Sequence, residues 1–349
     1  MKTSFISSLA MSQTLRYQVM RMQVELAERT QESQTGRVAD VGVALGAHAG
    51  RNLSMSRNIE RLTGLMDANT LAANRLSASQ DAMTQIGDLG QNLLASLTAA
   101  NSSAGQVSVA QGEAERVLKS MTSLLNTNLN GEYLFAGINT DVKPVADFSD
   151  PSSAAKAAFD AAFLAKFSFT QSDPAAASIT AADMEDFLTN YVEPQFLGSG
   201  WETNWSAASN QKITSRISLN ETAETSMTAN EIGIRKLAMA AASLSDLLKG
   251  SLSDEAREVL NKKALSLTGE AVADIAGAQA QAGLAENRIE DANTRLSSQV
   301  TIYKSFIKET EGVDPYEAAT RVNDLVTQLE ASYALTSRLQ QMSLLKYLW

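Results

Sequence analysis

Cysteine is absent and histidine occurs once, as His48. These two facts exclude disulfides, thiolate metal sites, cysteine nucleophiles and any cluster of imidazole ligands. They also leave a single candidate for the commonest general base. Long apolar runs are missing: no stretch approaches the roughly 18 residues of a membrane span. Polar residues interrupt the opening MKTSFISSLAMSQTLRYQVMR throughout, so no cleaved leader is expected there. No GxxxxGK[ST] or GxGxxG stretch occurs, which leaves nucleotide binding without sequence support. A basic excess is missing too, since 29 Lys and Arg face 39 Asp and Glu for a net charge of −10. Such a chain has no general electrostatic pull toward nucleic acid or anionic lipid. Neither a nucleic-acid partner nor membrane insertion is expected. Cysteine absence does not fix the compartment. It suits a cytoplasmic protein and equally one exported unfolded.

Proline and aromatic residues are scarce and confined. Four of the five prolines lie between Pro144 and Pro194, with Pro315 apart. Twelve of the 20 aromatics fall between Tyr133 and Trp205. The sequence is two aromatic-poor arms, without proline over 1–143 and 195–314, around a distinct middle. With 349 residues and 44% apolar composition there is enough chain for a sizeable core.

Both arms are rich in helix-favouring Ala, Leu, Met, Gln and Glu. Met11, Leu15, Val19, Met22 and Leu26 step by three and four, and Ile59, Leu62, Met66, Asn69, Ala73 and Leu76 do the same, followed after seven residues by Met83, Ile86, Leu89, Leu93 and Leu97. After a break at Asn101–Ser103, Ser103 with Gln106 reads as a capping box. The helix that follows is expected to run through Val117 and Met121 to about residue 129, with Gly131 as its C-cap. On the return arm, helices are expected over about 222–249, stopped by Gly250, and from Ser253 to Glu311, closed by Gly312. Asp314-Pro315 then supplies an N-cap and Pro at the first helical position for a last helix. In the middle, the segment from Gly131 to Gly137 reads as strand and turn, 150–166 as a short helix, and 167–220 as short strands. The expected fold is mainly α: paired N- and C-terminal arms forming a long helical rod, with a small α+β outer insertion. The expected division is a terminal assembly domain (1–45 and 300–349), a helical rod domain (46–140 and 215–299) and an outer domain (141–214).

This arrangement resembles the flagellin family of axial flagellar proteins. The matching residues are Gly131-Glu132-Tyr133-Leu134-Phe135-Ala136-Gly137, Gly283 to Glu290, Leu329-Glu330-Ala331-Ser332-Tyr333, Ser343 to Leu348, and Trp201-Glu202-Thr203-Asn204-Trp205. Thr35-Gly36-Arg37 keeps the core of a family loop, although the following residues are less acidic than usual. The resemblance implies a structural subunit of the flagellum, exported unfolded without a cleaved signal peptide. Within the family, the middle segment points to a tier between hook and filament, with bulk filament flagellin as the alternative. The partners so implied are other copies of the chain, a hook-associated protein on the hook side, flagellin or a second junction tier on the filament side, and an export chaperone. No cofactor and no catalytic role are implied. Assembly would run through apolar stripes on the terminal helices: Leu15, Val19, Met22 and Leu26 on the first, and Leu325, Leu329, Leu339, Met342 and Leu345 on the last.

Other groups have simpler readings. His48, between Ala47 and Ala49, has no motif partner and reads as a loop histidine. Glu113/Glu115 and Asp183/Glu185/Asp186 lack cation-loop spacing and read as solvated helix faces. Met11, Met20 and Met22 read as bundle packing, and Trp201 and Trp205 as domain core. A secreted helical effector is a further class, but no apolar helix suited to lipid insertion supports it.

Overall fold

The computed structural model describes residues 8–100 and 107–345. The capping box at Ser103–Gln106 and Trp349 lie outside the described residues. The elements are α1 (Ser8–Thr35), α2 (Val41–Leu45), α3 (Ala49–Ala100), α4 (Val107–Leu125), β1 (Asn128–Leu129), β2 (Glu132–Tyr133), α5 (Ala154–Phe167), α6 (Ala181–Phe187), α7 (Glu193–Phe196), β3 (Thr214–Ser218), β4 (Glu221–Glu224), α8 (Ile232–Leu247), α9 (Asp254–Glu311) and α10 (Pro315–Leu345). Two compact units result. One is built from the chain ends, up to Gly64 and from Leu296, and the other from Leu65–Arg295.

The larger unit is organised around α8, whose residues from Leu237 to Leu247 are all buried. A helix buried on every side needs small side chains where its neighbours come closest. Ala238, Ala240, Ala241 and Ala242 supply them. Glycines let the surrounding helices approach: a Cβ at Gly233 would lie 2.8 Å from the Ile275 backbone nitrogen, and one at Gly90 would lie 2.9 Å from Val272 Cγ2. The stripes of α3 (Leu76, Met83, Ile86, Leu93), α4 (Ala114, Val117, Met121) and α9 (Leu260, Ala264, Ala271, Ile275) join the same core.

Caps follow the sequence on the return arm. Ser253 Oγ accepts from Ala256 N at 3.1 Å and Asp314 Oδ1 from Tyr316 N at 2.8 Å. Three other expectations are corrected. Gly131 does not cap α4, which ends at Leu125. Asn130 and Gly131 have φ of 55° and 92° and form the two-residue turn of the β1–β2 hairpin, for which Asn-Gly is the favoured pair. No helix starts at 222, because Glu221–Glu224 pairs antiparallel with β3, from Thr214↔Glu224 to Ser218↔Glu221. The strands expected over 167–220 reduce to β3. The aromatic side chains there sit on short α and π turns instead, since they fill one core rather than line a pleated surface.

That core belongs to the middle of the chain. Trp201 stacks on Trp205 at 5.6 Å and Phe148 on Trp205 at 5.1 Å, while Phe159, Phe163 and Phe187 meet edge to face. Both tryptophans are buried, in line with their reading as domain core. The segment is bound to the entrance of α8. Trp201 Nε1 donates to Asn230 Oδ1 at 2.8 Å, and Arg235 donates to the carbonyls of Phe196 (2.6 Å) and Gly198 (2.8 Å). Asn69, fully buried, donates to Ile217 O and Asn293 Oδ1, both at 2.8 Å, which fixes the β3–β4 hairpin on α3 and α9.

A buried carboxylate joins α5 to α8. Asp246 lies 3.1 Å from Lys156 Nζ and accepts from Gln171 Nε2 at 2.9 Å, and Lys156 also bonds Asp160. Burial pushes the Asp246 carboxyl above its ordinary 3.8, outweighing the opposing pull of Lys156. A raised acid binds its proton in the folded state at a pH where the unfolded chain has released it. Its contribution to stability therefore grows as pH falls toward 3.8 and declines as pH rises. In urea titrations at several pH values, the stability of the native chain relative to Asp246→Asn should increase with acidification. A difference that shrinks instead would mean that the Lys156 pair dominates. For Trp201→Ala, removal of a fully buried indole should cost about 3–5 kcal/mol, read in the same titration.

Candidate assembly interface

α1 and α10 form an antiparallel pair at the chain ends. Gln23 Nε2 donates to the Tyr333 hydroxyl at 2.7 Å, and Arg37 bridges antiparallel to Gly312. At about 100° per residue, Leu15, Val19, Met22 and Leu26 share the side of α1 that meets α10, and all four are half-buried. On α10, Leu325 and Leu329 are buried at 8% and 6% exposure. The side chains of Leu339, Met342 and Leu345, on the last turns of α10, lie outside the described residues.

The two chain reversals of this unit are pinned side by side. Gly36, with φ of 65°, ends α1. Val38 N donates to Glu311 O at 2.9 Å, and Val313 N donates to Gly36 O at 3.0 Å. Two buried carboxylates complete the joint. Glu32 accepts from Arg29 at 2.6 Å and Ala39 N at 3.2 Å, while Glu311 accepts from the buried Asn52 at 3.0 Å. The bond to Glu32 holds the Arg29 guanidinium above its ordinary value. Thr35-Gly36-Arg37 thus has a local purpose: it turns the chain and presents backbone groups to the α9–α10 turn.

The side of α1 turned away from α10 is also apolar. Tyr17, Met20 and Val24, spaced by three and four, are 65%, 60% and 61% exposed. Sequence reading followed the stripe through Leu15 and Leu26 and overlooked this second one, although its i, i+3, i+7 spacing was visible. Met11 and Met20, read as bundle packing, are exposed, and Met22 alone of the three is half-buried. α10 likewise exposes Tyr316, Val326 and Leu335. A helix that is apolar on opposite faces is one buried on both. One pairing with α10 covers one face only.

The remaining candidates make ordinary contacts. His48 is exposed on a short 3-10 turn. Glu113 pairs with Arg116, Glu115 with Lys249, and both Asp183 and Asp186 with Lys166. Among the described residues no group of three or more His, Asp or Glu is placed to hold a metal ion. Nor is any helix of the described residues long and apolar enough to cross a membrane.

Comparison with known proteins agrees with this geometry. Residues 6–140 match the family model of the bacterial flagellin N-terminal helical region, and residues 265–348 match that of the C-terminal helical region. Together they span well over half of the chain. Among solved structures, a protein assigned as a flagellar hook-associated protein from Vibrio parahaemolyticus is similar at 11% identity and a TM-score of 0.53. That match covers 76% of this chain and 97% of the other. No curated protein sequence matches. Long helical arms of this kind, closed by a two-faced terminal pair, define a structural subunit of the bacterial flagellum. The chain belongs to the flagellin-like family.

The two faces of α1 are separable by experiment on the isolated chain. Leu329→Ala should cost about 2 kcal/mol or more, seen as faster amide exchange along α1 and α10. Val24→Asp, on the outward face, should leave that exchange unchanged. Equal acceleration by both would place Val24 in the packing of the monomer.

Proposed function

We propose that this protein is the adaptor tier that joins the flagellar hook to the filament. The observation that carries the reading is the apolar face of α1, whose Tyr17, Met20 and Val24 are exposed among the described residues. Burying one such side chain is worth about 1.5–3 kcal/mol, and a row of them left in water favours association. The covering surface is a further copy of the same chain, meeting it through a different patch, so that the contact propagates around a tier. Residues 1–45 and 300–349 form the assembly domain, 46–140 and 215–299 the rod domain, and 141–214 the outer domain. Leu15, Val19, Met22, Leu26, Leu325, Leu329, Leu339, Met342 and Leu345 set the terminal helices for assembly.

Two features favour the junction over the filament. The aromatic segment around Trp201 and Trp205 is buried in a core continuous with α8, and the similar solved structure is described as hook-associated. In this reading a hook-associated protein adjoins one end of the tier, and flagellin or a second junction tier adjoins the other. The chain is exported unfolded and is met before export by a chaperone. Its sparse terminal unit suits a segment that orders fully on assembly.

Filament flagellin is the competing reading, favoured by the description of both family models as flagellin regions. Deletion of the gene separates the two. Electron microscopy of the deletion strain should show bare hooks, with flagellin shed as monomer into the medium. Normal filaments, or loss of one filament type alone, would overturn the junction role. Leu339→Asp should abolish incorporation. Motility intact in that variant would remove the terminal stripe from the interface.

A further inference from the structure

Asparagine is among the chemically labile residues, and it is most labile before glycine. Glycine has no side chain to keep its backbone nitrogen away from the amide carbon of the residue before it. Asn130-Gly131 is the one Asn-Gly pair in the sequence. It forms the β1–β2 turn, with φ of 55° and 92°. Both residues are exposed, so water and hydroxide reach them. The Asn130 side chain makes no hydrogen bond among the described residues. The Gly131 nitrogen, by contrast, is occupied. It donates to Asn128 Oδ1 at 2.8 Å, a bond additional to the strand pairs Asn128↔Tyr133 and Leu129↔Glu132.

We propose that Asn130 is a site of covalent self-modification, deamidation through a cyclic imide, and that the Asn128 side chain restrains it. In the first step Gly131 N gives its proton to hydroxide and bonds to Asn130 Cγ. The bond from Cγ to the side-chain nitrogen breaks, and ammonia leaves with a proton taken from water, which restores the hydroxide. Water then opens the imide at one of its two carbonyls and leaves aspartate or isoaspartate. Water is the only co-reactant consumed. While Asn128 Oδ1 holds the Gly131 N–H, the first step waits for that bond to open. The chemistry is independent of what the chain assembles with.

The product changes the strand that follows. Isoaspartate adds a backbone carbon to a two-residue turn, and hairpin register depends on turn length. Either product also adds a carboxylate beside Glu132, whose partner is Arg75. Arg75 donates in addition to Tyr133 O at 2.9 Å, which ties the hairpin to α3. The next residues, Leu134 and Phe135, are buried, and Phe135 O accepts from Ala229 N at 2.8 Å. A lengthened turn therefore loosens the chain where it enters the core.

The test incubates the full-length chain at mildly alkaline pH, folded in buffer and unfolded in guanidinium. Peptides are then followed by mass and by isoaspartate content. In guanidinium Asn130 should convert ahead of every other asparagine, and in the folded chain it should convert more slowly. The folded Asn128→Ala variant should convert about fivefold faster than the folded native chain, the effect of losing one hydrogen bond. Asn128→Asp keeps an acceptor in the same place and should not exceed the native rate. If another asparagine converts first in guanidinium, Asn130 is not the site and the proposal falls. It falls equally if the folded chain converts as fast as the unfolded one, or if Asn128→Ala is no faster than native. Asn130→Gly keeps a favoured turn pair and reports on the consequence. After prolonged incubation, amide exchange at Leu134 and Phe135 should have accelerated in the native chain and not in this variant. Equal exchange in the two aged proteins would overturn the loosening of the hairpin.

Discussion

A single helix with apolar side chains on opposite faces sets the requirements for the rest of this protein. The pair of α1 with α10 settles one face. Geometry forbids it from settling the other, because Tyr17, Met20 and Val24 lie about half a turn from Leu15 and Leu26. The bonds that do stabilise the terminal unit are concentrated at its double turn, around Glu32, Gly36, Asn52 and Glu311. Away from that joint, Leu325 and Leu329 are the buried leucines of α10 among the described residues. The unit therefore holds a defined chain path with little core. That combination suits a part whose full packing is supplied from outside.

The larger unit solves the opposite problem. From Leu237 to Leu247 α8 has no outward face, and the aromatic segment is fastened to its entrance by Asn230 and Arg235. Asn230 satisfies four groups at once: Trp201 Nε1, Ser206 Oγ, Ala208 O and Asn210 Oδ1. Buried polar groups that are fully satisfied specify one arrangement, since any displacement leaves several unpaired together. The hairpin β3–β4 is held similarly, by Asn69 from beneath and by Arg288 and Arg295 on Glu221 at its edge. One unit is self-sufficient and the other is not, and the two share a chain.

Much of this was legible in the sequence. The helical arms followed from proline-free, 3.6-period runs, and Asp314-Pro315 and Ser253 fixed helix starts because capping is chemistry local to a few residues. Where the sequence misled, the deciding interaction was either a different local code or a distant one. Asn130-Gly131 was a hairpin code beside a long helix, and the helix period drew attention past it. Glu221–Glu224 became a strand through pairing with Thr214–Ser218, itself held by Asn69 at Ile217 O, and neither is visible from its own residues. The aromatic segment was read as strands by composition, yet its rings were needed on one side, which short helical turns supply. At the interface, the stripe that sequence reading chose proved to be the one turned toward α10. Strong periodicity marks the partner nearest to hand, and it can hide a second, weaker period on the same helix.

That last point bears on how a polymerising subunit differs from a poorly packed one. An incomplete core exposes apolar residues at random, and the charges near them pair off where they can, as Glu317 does with Arg321 and Glu113 with Arg116. On the outward side of α1 the charges stay single and are of both signs, since Arg16, Arg21, Glu25 and Glu28 are exposed without an ion pair among the described residues. Intrahelical partners at i+4 were available in sequence terms, since Glu25 follows Arg21 by four, yet Arg21 and Glu25 form no ion pair among the described residues. Exposed pairs of that kind are worth only about 0.3–0.5 kcal/mol, so leaving them unmade costs little in the monomer. A cation kept free beside an apolar stripe can be desolvated against an anion of another copy, where pairing is worth more and wrong partners are rejected. The exposed row of Tyr17, Met20 and Val24 and the sparse core around Leu325 and Leu329 then describe one property together, a terminal unit that is incomplete alone.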